Sequence, residues 1–147
     1  MVASHQQSGA RLEVYGYPGP GKDIALLAHT PYIGRSHRWL APIGAADLDG
    51  DGHVEVAYID RPHLAKTLRV WRYRAGALEP VADAAGFTNH GIGEVDIAGG
   101  IRNCGGPPEL IVATANWARV VAIQLQQGKF TGQDLSLIHI SEPTRPY

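Results

Sequence analysis

The sequence is short of cysteine, methionine, phenylalanine and net charge. Its single cysteine, Cys104, cannot close a disulfide within the chain; it is either a buried thiol or half of a bridge to something outside this stretch. A formal net charge of −1 offers no basic field for nucleic acid or an anionic membrane. No apolar run reaches the roughly 18 residues of a membrane-crossing helix. The opening Met1-Val2-Ala3-Ser4-His5-Gln6 lacks the basic start and apolar core of an export signal. There is no nucleophile elbow, phosphate-binding loop, dinucleotide fingerprint or paired zinc-protease histidines. With no catalytic constellation visible, an enzyme is not expected.

What is present points to β-structure. The 147 residues include 18 Gly and 10 Pro, with 44% apolar and 18% charged residues, and long helical periodicity is scarce. That balance suits an all-β globular chain. Alternation predicts strands near Leu12–Tyr17, Ile24–His29, Ile43–Asp47, Val54–Asp60, Leu68–Tyr73, Gly93–Ile97, Leu110–Ala115 and Val120–Leu125, with a short one at Lys129–Thr131. Pro18-Gly19-Pro20-Gly21 is a turn cluster, and Glu79–Ala85 reads as loop in preference to one helical turn.

The chain is organised around Asp47-Leu48-Asp49-Gly50-Asp51-Gly52-His53-Val54-Glu55. Alternating carboxylates on a folded-back loop suit a hard cation, and calcium takes about six to eight oxygens at about 2.3–2.6 Å. Asp47, Asp49, Asp51 and Glu55 would give side-chain oxygens and His53 its backbone carbonyl. Gly50 and Gly52 would take positive φ, while Leu48 and Val54 would turn into apolar packing. An EF-hand is excluded, because its twelfth position is Tyr58 and the flank alternates as a strand. The remaining alternative is a plain solvated Asp-Gly turn.

At these residues the sequence resembles the FG-GAP/VCBS repeat family, through Asp47-Leu48-Asp49-Gly50-Asp51-Gly52 with Glu55, the Val56-Ala57-Tyr58 that follows and the Ile43-Gly44-Ala45-Ala46 lead-in. The close match runs from Trp39 to Tyr73. The resemblance implies one Ca2+ in a loop between two strands of a propeller blade. It also implies a binding or structural module of a secreted or periplasmic protein.

Internal echoes fit a repeat. Leu68-Arg69-Val70-Trp71-Arg72-Tyr73 matches the pattern of Leu12–Tyr17, and Val120–Leu125 takes the same place later, giving a unit of roughly fifty residues. The expected organisation is a repeat region over 1–134, with repeats near 1–35, 36–88 and 89–134. This makes about two and a half blades of a partial β-propeller-like array, where closed propellers have about four to eight. Such a piece is expected to begin inside a repeat and to leave strand edges exposed. Ile92-Gly93-Glu94-Val95-Asp96-Ile97 would be the second copy of Ile43–Leu48, leaving Asp96 and Glu109 too few to cage an ion. Residues 135–147, including His139 and Glu142, resemble a translated sequencing adapter and are set aside as a non-native tail; the alternative is an edge strand.

Outside the acidic loop, Asp60, Arg61 and His63 could bind a carboxylate or a sugar, the alternative being a solvated turn. Trp117 with Arg119 could stack on a sugar ring or simply pack. In a propeller, the loops holding Asn89 and His90, like those holding His37 and Trp39, would line one face or the central channel, the alternative being plain surface residues. The expected role is therefore a calcium-binding repeat module. A carbohydrate- or protein-recognising propeller, or the non-catalytic part of a propeller-type lyase or hydrolase, stands as the alternative.

Overall fold

The structure, a computed structural model, describes residues 1–136. Every element assigned in it is a β-strand, and strands hold 53% of these residues. In chain order they are β1 (Val2–His5), β2 (Gly9–Gly16), β3 (Ala25–His29), β4 (Leu40–Ala46), β5 (Val54–Asp60), β6 (Thr67–Arg74), β7 (Ala77–Ala85), β8 (Phe87–Thr88), β9 (Gly100–Arg102), β10 (Glu109–Thr114), β11 (Val120–Gln126) and β12 (Lys129–Asp134). No helix among the described residues is long and apolar enough to cross a membrane. The tail reading for 135–147, with His139 and Glu142, falls almost wholly outside the described residues.

All pairings are antiparallel, and each of three sheets is built from one continuous stretch of chain: β1-β2-β3, then β4-β5-β6-β7, then β12-β11-β10-β8 with β9 also on β10. The middle sheet lies between the other two, and β5 shows why. Its residues from Glu55 to Asp60 are all buried. Val56 and Tyr58 point to one side, where they pack with Ala10, Leu12 and Leu40. Ala57 and Ile59 point to the other, joining Leu68, Val70, Leu110, Val112, Ile123 and Leu125. A strand with period-two alternation can serve two cores only when both faces are covered. Pro42 is tolerated in β4 because the register shifts there by one residue, a bulge where a missing N–H costs little.

The second half of the chain departs from the expectation. Gly93–Ile97 is not a strand: Ile92 and Val95 are 85% and 95% exposed. The edge of β10 is already paired, by β8 at Ala113 and Thr114 and by β9 from Glu109 to Ile111. The residues between β8 and β9 therefore leave the sheet as an excursion, closed at its neck by Ala98 N–H donating to Asn89 O at 2.7 Å. Register then makes Arg102, opposite Glu109, the counterpart of Ala46, opposite Glu55. The loop in the position equivalent to 47–53 is thus 103–108, the later part of the stretch 98–108 expected to hold it, and Asp96 stands in the excursion. Glu79–Ala85 is likewise strand, not loop, and belongs to β7.

Candidate metal centre

The loop between β4 and β5 is shaped by its own carboxylates. Asp47 takes the N–H of Gly50 on Oδ1 and that of Gly52 on Oδ2, both at 2.9 Å. Asp51 N–H donates to Asp49 Oδ1 at 3.3 Å, and His53 N–H to Asp51 Oδ1 at 2.8 Å. The chain turns back twice through positive φ, at Gly50 (77°) and Gly52 (87°), where a Cβ would strain the backbone. Leu48 anchors the loop in the core at 1% exposure, and its N–H donates to Glu55 Oε2 at 2.7 Å. Val54 does not follow it inward; it is 44% exposed.

Asp47, Asp49, Asp51 and Glu55 each bring one carboxylate oxygen within 4.8 Å of the others, a group that could hold a metal ion. Oxygens about 2.3–2.6 Å from a common centre can be no more than about 4.6–5.2 Å apart, so the spread fits one hard cation. An all-carboxylate donor set also suits calcium or magnesium better than a borderline metal. His53 donates its N–H within the loop; its ring takes no part in the cluster.

A cation that the sequence reading missed already lies against these acids. Arg72 Nε donates to Glu55 Oε1 at 2.8 Å, its Nη2 bonds Asp49 Oδ2, and its Nε stands 3.2 Å from Asp51 Oδ2. The available signal was register: Leu68, Val70 and Arg72 share the core-facing row of β6, and Arg72 pairs directly with Glu55. Burial of Glu55, which has no exposed surface, raises its pKa, opposed by hydrogen bonds from Arg72 and Leu48 N–H. Asp51 is held below its usual range, first by the His53 N–H. The hydrogen bond to Glu55 raises Arg72 in turn. Four carboxylates meet one guanidinium, so three negative charges stay unbalanced if all are ionised.

The other candidate residues fall into separate places. Asp60 is 4% exposed and accepts from Arg61 Nε and Arg69 Nε, both at 2.9 Å. Arg61, at φ 46°, folds its guanidinium back onto Asp60, so this pair clamps a strand end. His63 is brought to His90, whose ring packs against Trp39. Asn89 is not a surface loop residue: it has no exposed surface and donates Nδ2–H to Ala41 O at 3.1 Å. Trp117 (φ 60°) and Arg119 line a small cavity of about 130 Å³ with Gly99 and Val112. Arg119 pairs with Asp134 at 2.9 Å. Cys104 is exposed, not a buried thiol, and forms no disulfide among the described residues.

Comparison of the chain with family models, with curated proteins and with solved structures found no match.

Proposed function

We propose that the chain is a calcium-binding repeat module, its three sheets successive blades of an FG-GAP/VCBS-type propeller from a secreted or periplasmic protein. The observation that carries this reading is the convergence of Asp47, Asp49, Asp51 and Glu55 on a space with a single arginine for counter-charge. The face-to-face packing of sheets drawn from consecutive stretches supports the propeller arrangement. Calcium has a structural role here. Asp47, Asp49, Asp51 and Glu55 would hold it, with the His53 carbonyl as a further oxygen, and neutralising their charge fixes the turn that sets β5 against β4. Weak, near-millimolar affinity suits an extracellular module.

Thermal unfolding with and without Ca2+ tests this. Asp49→Ala combined with Asp51→Ala is expected to abolish the calcium-dependent rise in Tm, whereas Glu109→Ala leaves the rise intact. A double variant as responsive as the parent chain would remove the assignment.

Recognition of a carbohydrate or a protein is the second reading, favoured by the 44% exposure of Trp117 beside Arg119 at a cavity. Glycan-array binding that Trp117→Ala removes would support it. A lyase or hydrolase role gains nothing from Asp60 and Arg61, which are bound to each other.

A further inference from the structure

At the end of the middle sheet away from the acidic loop, two histidines from different sheets meet. His63 lies in the connection between β5 and β6, and His90 at the start of the 89–99 excursion. His63 Nε2 is 2.9 Å from His90 Nδ1, and His90 Nε2 is 2.9 Å from Glu94 O. A carbonyl oxygen only accepts, so His90 Nε2 carries a proton. In the neutral ring His90 Nδ1 is then the bare nitrogen that receives the His63 N–H. Metal-binding histidines are commonly arranged this way, with one ring nitrogen donating to a carbonyl and the other left as a lone pair. Trp39 packs edge-on against the His90 ring with centroids 5.0 Å apart, which further fixes its plane. His63 is exposed.

We propose that His63 and His90 form a binding site for a borderline divalent transition metal of the Ni2+ or Cu2+ class, separate from the acidic loop. Imidazole nitrogens suit borderline metals of this kind, and two of them from neighbouring loops leave the remaining positions of the shell open. Binding requires His63 to move its proton to Nδ1 and rotate so that both lone pairs face the ion. Water fills the other positions. The site joins the connection after β5 to the neck of the excursion, so occupancy ties the middle sheet to the third. The excursion gains a purpose by this account: it departs from the sheet at Asn89, whose buried Oδ1 accepts no hydrogen bond, and immediately delivers His90 to His63.

The test is Ni2+ titration of the whole chain, followed by calorimetry and tryptophan fluorescence; Ni2+ avoids the copper-driven oxidation that the exposed Cys104 invites. One equivalent is expected to bind and quench fluorescence. His63→Ala and His90→Ala should each weaken binding at least as much as the roughly 10–100-fold lost when outer-shell partners are removed. His63→Gln, which keeps a donor toward His90, should fold as the parent chain does and bind as poorly as His63→Ala. Trp39→Phe should remove most of the quenching and leave the calorimetric affinity in place, and Asp49→Ala with Asp51→Ala should leave both unchanged. Binding that survives in the His63→Ala/His90→Ala double variant, or that disappears with the acidic-loop variant, would overturn the proposal.

Discussion

Two loops of this protein occupy equivalent positions and handle charge in opposite ways. Residues 47–53 lead into β5 and residues 103–108 lead into β10, and register places Glu55 and Glu109 at matching points. Each glutamate has an arginine: Arg72 for Glu55, and Arg102 for Glu109, which Arg102 Nε meets at 2.7 Å. Across the next strand, where β6 sets Arg72, β11 sets Gln124, whose amide reaches Glu109 at 3.3 Å. In the second loop one acid meets one base, and Asn103-Cys104-Gly105-Gly106-Pro107-Pro108 adds no further charge. In the first, Asp47, Asp49 and Asp51 are added to Glu55 with no further base in the cluster. The equivalent position can therefore be closed by a neutral ion pair or built with excess negative charge, and only the second arrangement could hold a metal ion.

Breaking each ion pair separates the two cases most sharply. Glu55 has no exposed side-chain surface and Arg72 only 20%. Removing one partner of a buried pair costs roughly 3–5 kcal/mol, and Arg72→Gln is expected near the low end because the guanidinium is partly solvated. Urea unfolding without calcium measures it, and in the same variant added calcium should restore more stability than it adds to the parent chain. Arg102 is 39% exposed, so Arg102→Gln should cost about 1 kcal/mol or less, with no calcium dependence. Equal costs at the two positions would erase the distinction.

A smaller effect comes from the first sheet, where Glu13 pairs with Arg11 and accepts a hydrogen bond from the Tyr15 hydroxyl at 2.6 Å. These bonds, first that from Tyr15 and then that from Arg11, lower the Glu13 pKa from its ordinary 4.5. A carboxylate with a lowered folded-state pKa adds stability that is complete above its ordinary value and is lost as pH falls through the lower one. Glu13→Gln should lower stability near neutral pH, where that contribution is complete, and flatten that part of the acid-side fall. A pH–stability curve unchanged in the variant would contradict it.

The acidic loop and the strands beside it were legible because both follow local rules. Val54–Asp60 and Thr67–Arg74 alternate, and Gly50 and Gly52 take the positive φ that their places in the turn suggested. The misses were not local. Ile92, Val95 and Ile97 look like strand residues, yet whether they join a sheet depends on the β10 edge, which β8 and β9 occupy first. Glu79, Pro80 and Asp83 read as loop, yet Ala77–Ala85 is held along β6 as an exposed edge strand, with Pro80 beside a register shift. Arg72 is invisible to motif spacing because it reaches the loop from across the sheet, and the His63–His90 contact joins residues brought together only by the packing of two sheets.

A crystal structure grown in calcium tests the central claim most directly. The account predicts one ion, identified by its anomalous signal, bound by oxygens of Asp47, Asp49, Asp51 and Glu55, with the Arg72 guanidinium turned away from Asp49 and Asp51. Arg72 still seated against those carboxylates, with no ion among them at millimolar calcium, would contradict it.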